Sequence, residues 1–101
     1  MAIPIKLLIT WDIAAEQEEQ CLALVVRELP LALNREGLDY AAWFTAYGEW
    51  PQIRVELIAE DLDALEKFLA SETWGWLRQK VKALAQGYKE KVLIARGGYQ
   101  L

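Results

Sequence analysis

The sequence predicts one α+β domain over residues 1–101, in which strands and helices follow the order β-α-β-β-α-β and the four strands form an antiparallel sheet. Three observations predict this class. Four short segments alternate apolar with polar residues or are rich in β-branched and aromatic residues, which is typical of strands. Longer segments between them carry apolar residues at three- and four-residue spacing, which is typical of helices. Glycine, proline and capping residues separate the segments.

Two of the strands are predicted by alternation alone. Residues 3–12 place aliphatic residues on one side, and residues 52–59 do the same. The residues that should face the helices are Ile5, Leu7, Ile9, Ile53, Val55 and Leu57. The opposite side then carries Lys6, Leu8, Thr10, Gln52, Arg54, Glu56 and Ile58. Such a mixture of polar and apolar residues suits neither solvent nor a core, so we expect another surface to cover it.

A helix is predicted between the first two strands, over residues 14–36. Its apolar stripe consists of Leu22, Val25, Val26, Leu29 and Leu33. Pro30 should kink or restart this helix, because proline lacks a backbone N–H and crowds the preceding turn. Gly37 follows at the point where a residue in the left-handed conformation would end the helix.

Residues 38–47 predict the second strand, but apolar residues occur on both of its sides. The side that faces away from the helices would carry either Trp43, Thr45 and Tyr47 or Tyr40, Ala42, Phe44 and Ala46. A one-residue change of register exchanges the two sets, so the sequence leaves this choice open. Residues 48–51 then predict a compact hairpin connection to the third strand.

The second half of the chain predicts two helices and the last strand. Residues 61–70 form a short helix, and a longer helix begins after the capping residue Ser71. The stripe of the longer helix consists of Trp74, Leu77, Val81, Leu84 and Tyr88. Residues 90–96 predict the fourth strand. The complete order of elements is that of a ferredoxin-like domain.

Several of these segments resemble a known family. They are DLDALEKFLAS, ETWGWLRQKVKALAQGY and YKEKVLIAR, and within them ASETWGWL resembles the pattern in which a small or polar cap leads into an aromatic residue before the last helix. On these residues the chain resembles the dimeric α/β-barrel superfamily, which includes antibiotic-biosynthesis monooxygenase-like, NIPSNAP-like and stress-responsive barrel proteins. The resemblance implies a homodimer whose two sheets form a barrel, with an enclosed pocket in each subunit. Haem-degrading members depend on a ligand His, which this chain lacks.

Composition narrows the possible functions. Hydrophobic residues make up 54% of this short chain, which favours a partner chain that covers part of them. A net charge of −4 with scattered basic residues argues against nucleic-acid binding, including RNA binding on an open sheet. With no His and one Cys, we expect no metal, no cofactor and no internal disulfide. No segment resembles a membrane span or a signal peptide, so we expect a cytoplasmic protein.

The candidate ligand-binding residues are Thr10, Trp43, Tyr47, Arg54 and Glu56. Trp43 and Tyr47 could contact a bound ligand, or they could belong to the core or to a subunit interface. Arg54 and Glu56 are two residues apart in one strand, so their side chains point to the same side. They would form either an anion clamp with a neighbouring carboxylate base or an ion pair within or between subunits.

Two hypotheses of function follow. The first is a homodimer that binds a small apolar organic compound. The resemblance to the barrel family, some members of which carry out cofactor-free oxygenation or isomerisation, extends this to a cofactor-free monooxygenase-like or isomerase-like enzyme, with Glu56 as base, Arg54 as electrostatic stabiliser and Tyr47 as acid. The second is a non-catalytic structural or regulatory dimerisation module, in which side chains fill the space between the sheets. No catalytic motif decides whether the protein is an enzyme.

Overall fold

A computed structural model describes residues 3–45, 48 and 51–94 of the chain. The strands are β1 (Ile5–Ile13), β2 (Asp39–Phe44), β3 (Ile53–Ala59) and β4 (Ala85–Ile94). The helices are α1 (Glu18–Ala23), α2 (Leu29–Arg35), α3 (Leu62–Leu69) and α4 (Glu72–Leu84), and a π-helical turn (Leu24–Glu28) joins α1 to α2. The strands form one antiparallel sheet in the order β2-β3-β1-β4, so the predicted fold class is confirmed.

The hydrophobic core lies between one face of the sheet and the helices. β1 and β3 supply alternate residues to it, which are Ile5, Leu7, Ile9, Trp11, Ile53, Val55, Leu57 and Ala59. The helices supply Cys21, Leu24, Val25, Leu29, Leu33, Leu65, Phe68, Trp74, Leu77 and Val81. Every residue of β1 and β3 that the alternation assigned to the helices is therefore buried.

The register of β2 decides the choice that the sequence left open. Tyr40 pairs with Leu57 and Ala42 pairs with Val55, so these residues face the helices. Trp43 pairs with Arg54 and therefore faces the other way. Of the two predicted sets, the one containing Trp43 faces away from the helices; Ala46 and Tyr47 lie outside the described residues.

The stripe predicted for the first helix is wrong at two positions, because the helix contains a π turn. Leu22 and Val26 are exposed, whereas Cys21 and Leu24 are buried in their place. The Leu29 N–H donates to the carbonyl of Leu24, five residues earlier. Because this hydrogen bond spans five residues instead of four, the helix buries a different face from the one that a regular α-helix would bury.

Pro30 explains the position of this turn. If the π-helical pattern continued by one residue, the Val25 carbonyl would accept a hydrogen bond from the backbone N–H of residue 30. Residue 30 is proline, which has no N–H. The Tyr40 hydroxyl of β2 donates a 2.7 Å hydrogen bond to that carbonyl instead. Pro30 therefore does not break the helix: the chain continues through α2, and a side chain from the sheet satisfies the Val25 carbonyl.

The structure corrects the end of the last helix. α4 ends at Leu84, and the chain passes at once into β4, which is longer at its start than predicted. Thr10 pairs with Lys89 and Asp12 with Gln86, so Trp11 lies opposite two residues of β4. Gly87, with φ +65°, is the first of these two and forms a β-bulge. Tyr88 does not complete the helix; its ring stacks on Trp11 at 6.4 Å between centroids.

The bond from Tyr40 to Val25 can be tested by a double-mutant cycle. Tyr40→Phe should lower the free energy of unfolding by about 1–3 kcal/mol, because it leaves a partly buried carbonyl without its donor. In a Pro30→Ala background the loss should be smaller, because the new N–H at position 30 can serve the same carbonyl. Urea unfolding of the four proteins at one protein concentration measures the coupling. Equal losses in both backgrounds would contradict this account.

The same tyrosine should make stability sensitive to alkali. Burial raises the pKa of Tyr40 well above its usual range. A phenol that resists ionisation in the folded state contributes stability that is present below the unfolded pKa of about 10 and is lost as the pH rises above it. We expect wild type to lose stability more steeply than Tyr40→Phe between about pH 10 and pH 11. Parallel stability curves over that range would contradict the expectation.

Candidate functional site

The candidate site is the sheet face opposite the core, which we call the open face. Its side chains come from alternate residues of all four strands and form three rows across the sheet in the order β2-β3-β1-β4. The rows are Trp43–Arg54–Thr10–Lys89, Ala41–Glu56–Leu8–Lys91 and Asp39–Ile58–Lys6–Leu93. Cross-strand neighbours in a row are close enough to interact, so each row brings together residues that are distant in the sequence.

Trp43 and Arg54 form the most defined contact on this face. The guanidinium carbon of Arg54 lies 4.5 Å from the centroid of the Trp43 ring. Each of the two side chains is 43% exposed, so the pair is accessible from the open face. A planar guanidinium on an aromatic face is a favourable cation–π arrangement, and it leaves the edge of the guanidinium free to donate hydrogen bonds.

Glu56 lies beside Arg54 and holds two cations. One carboxylate oxygen is 3.2 Å from Lys6 Nζ, and the other is 3.8 Å from Arg54 Nε. The geometry is thus that of an ion pair within the subunit, one of the two interpretations that the sequence allowed. The Arg54 contact is longer than a hydrogen bond, and Arg54 Nε is buried without an acceptor among the described residues. The guanidinium therefore has donor capacity that these residues do not use.

A recess of about 430 Å³ lies at the Trp43 end of the open face. It is lined by Leu8, Thr10, Trp43, Phe44, Thr45, Pro51 and Arg54. Its walls are mainly apolar, and the hydroxyls of Thr10 and Thr45 and the guanidinium of Arg54 are its polar groups. This is the usual composition of a site for a small organic molecule.

The structure brings four of the five predicted site residues together on the open face. Thr10, Trp43 and Arg54 line the recess, and Glu56 lies next to Arg54 outside its lining. Tyr47 lies outside the described residues. Sequence reasoning missed Phe44 and Pro51, which flank the hairpin connection, and it missed Lys89 and Lys91 because the pairing of β4 was not known. Alternation within residues 90–96, extended backward and paired with β1, could have suggested the two lysines.

The described residues include neither a metal-binding cluster nor a helix suited to a membrane. They contain no group of three or more His, Cys, Asp or Glu side chains that could hold a metal ion. None of the helices in the described part of the chain is long and apolar enough to cross a membrane.

Comparison with known proteins identifies the fold. No model of a protein family matches the sequence, and no curated protein matches it significantly. Among solved structures, the hydroxynitrile lyase from Passiflora edulis superposes with a TM-score of 0.82 at 5% identity, over 98% of this chain and 99% of that one. The cofactor-independent oxygenase SnoaB from Streptomyces nogalater gives 0.76 at 13% identity, over 99% and 100%.

A NIPSNAP family protein from Agrobacterium tumefaciens gives a TM-score of 0.68 at 15% identity, over 97% of this chain and 90% of that one. The three proteins are thus similar over nearly their whole length, at identities that establish the fold alone. The chain therefore has the ferredoxin-like α+β fold that these three proteins share, which is the fold that the resemblance in its sequence implied.

Proposed function

We propose that the protein is a homodimer that binds a small, partly apolar organic compound in the recess on its open face and transforms it without a cofactor. The observation that carries this proposal is the Trp43–Arg54 pair, which combines an apolar wall of the recess with a guanidinium whose Nε has no acceptor among the described residues. Two structural neighbours are a cofactor-independent oxygenase and a hydroxynitrile lyase, which supports an enzymatic activity without a cofactor.

The composition of the open face supports the homodimer. The face combines ionic groups with Leu8, Trp43 and Ile58, all of which are only partly buried in one chain. A second sheet stacked about 10 Å above it would remove these apolar side chains from water. Because the two faces would be identical, the dimer would be symmetric and each recess would be closed by the partner.

The chemistry that suits these residues is proton removal with stabilisation of the resulting anion. A bound compound with an acidic C–H would lose its proton to Glu56, whose carboxylate lies beside Arg54, and Arg54 would stabilise the enolate that forms. Return of the proton to a different carbon gives an isomer. Reaction of the anion with O₂ instead converts a CH₂ group to a carbonyl, with one oxygen atom retained and the other released as water.

The Lys6–Glu56 contact favours a second candidate function. A carboxylate that is 14% exposed and 3.2 Å from a lysine can serve the structure alone. In that case the protein is a non-catalytic dimerisation module, and the partner's side chains fill the recess. Two results together would favour this module: the purified wild-type dimer carries no bound ligand, and variants of the recess residues do not change the properties of the dimer.

Dimerisation through the open face can be tested with two variants, one that introduces a charge on the open face and one that introduces a charge on the helix side. Ile58→Lys places a charge within the proposed interface and should shift the protein from dimer to monomer at micromolar concentration. Val26→Lys is the control, because Val26 is 65% exposed on the helix side and lies far from the proposed interface. Analytical ultracentrifugation of both variants and wild type measures the shift. A monomeric wild type, or an Ile58→Lys variant that stays dimeric, would exclude this interface.

Ligand binding at the recess can be tested by native mass spectrometry of the purified protein. We expect wild type to carry extra mass that is lost on denaturation, and we expect Trp43→Ala and Arg54→Gln to lose most of it. The matched control is Trp76→Ala, because Trp76 makes the same kind of contact with Lys80, at 4.2 Å, on the helix side. A ligand that all three variants retain equally would place the binding site elsewhere. Oxygen uptake by the loaded protein then separates oxygenation from isomerisation.

A further inference from the structure

The open face is basic although the chain as a whole is acidic. Among the described residues, alternation places four basic and three acidic side chains on this face, which are Lys6, Arg54, Lys89, Lys91, Asp12, Asp39 and Glu56. The whole chain has a net charge of −4. Positive charge is therefore concentrated on the face that holds the recess.

Three of these cations have capacity for a negative partner. Glu56 is occupied by Lys6 at 3.2 Å and reaches Arg54 only at 3.8 Å. Lys89 and Lys91 form no ion pair with any residue in the described part of the chain. Cations that are to be enclosed between two protein layers need an anion or a strong hydrogen-bond acceptor.

Lys89 and Arg54 are placed to act on one group. They belong to the same row and lie on either side of Thr10, which pairs with both residues. Their backbones are two strand spacings apart, about 10 Å. The Arg54 guanidinium lies on the ring of Trp43, whose strand is on the side away from β4, and both side chains are long enough to reach toward a group held above the intervening threonine. The Thr10 hydroxyl can donate a third hydrogen bond from below, and Thr10 lines the recess.

Dimerisation strengthens the case for a negative ligand. In the proposed symmetric dimer, the partner's open face brings the same set of charges into the same space, with cations in excess of carboxylates. Like charges in an enclosed space repel each other and lose their hydration, which costs free energy unless anions neutralise them. A neutral ligand would leave this excess of positive charge uncompensated.

We propose that the ligand is an organic anion whose acidic group binds over Thr10 between Arg54 and Lys89, while its apolar part contacts Leu8 and Trp43. This inference rests on the proposed function and specifies the chemical class of its ligand. It also assigns an anion-binding role to Lys89. Lys89 is a binding residue in this scheme and takes no part in proton transfer.

The test compares two fluorescent probes of nearly the same shape. The first is 1-anilinonaphthalene-8-sulfonate, which is an anion, and the second is N-phenyl-1-naphthylamine, which lacks the sulfonate and is neutral. Both are titrated into wild type, Lys89→Gln, Lys67→Gln and Trp43→Ala. Lys67 is a control because it lies on α3 with a side chain 79% exposed, distant from the open face.

The anionic probe should bind wild type more tightly than the neutral probe. Lys89→Gln should lower the affinity for the anionic probe about tenfold, because one charge-assisted hydrogen bond is lost. It should leave the affinity for the neutral probe unchanged. Lys67→Gln should change neither. The anion site is excluded if both probes bind wild type with equal affinity. It is also excluded if Lys89→Gln changes the affinity for neither probe while Trp43→Ala weakens the binding of both, and in that case the recess remains the binding site. If Trp43→Ala changes neither probe, or neither probe binds wild type, the proposed binding site fails and the anion site fails with it.

Discussion

Burial of alternate residues on β1 and β3 is the constraint on which the rest of the structure depends. The two strands are adjacent in the sheet and send their aliphatic residues into one core. Because side chains alternate along a strand, fixing one set in the core also fixes the other set on the open face. Thr10 and Arg54 are therefore neighbours on that face as a consequence of core packing. A shift of one residue in this pairing would bury Arg54 and dismantle the recess.

This constraint explains why the sequence predicted some of the site and not the rest. Alternation in residues 3–12 and 52–59 is unambiguous, so the faces of Thr10, Arg54 and Glu56 could be derived. The second strand is aromatic on both sides, and the hydrogen bond from Tyr40 to the Val25 carbonyl identifies the helix-facing side. That acceptor is available because of the π turn and Pro30, which are features of tertiary structure that no local pattern in residues 38–47 contains.

The fourth strand shows a different reason for failure. Leu84 and Tyr88 are four residues apart, so the apolar stripe of the helix can be continued to Tyr88. For this reason the sequence did not predict that β4 begins directly after Leu84. The bulge at Gly87 then decides which side chains face which way. Without the extra residue, Tyr88 would lie opposite Thr10 on the open face and Lys89 would point toward the helices. One glycine in the left-handed conformation thus sends Tyr88 into contact with Trp11 and puts Lys89 in the row of the recess.

The distribution of charge separates two classes of ligand that the composition alone could not separate. An acidic chain argues against long polyanions, since a nucleic acid would have to lie along a surface that is negative overall. In the proposed dimer, this face would be enclosed between two sheets and would admit a different kind of anion. A small organic acid can enter such a space, be held by Arg54 and Lys89 in a medium less polar than water, and gain more from each contact than it would on an exposed surface. The same geometry that excludes a polymer therefore favours a compact anion.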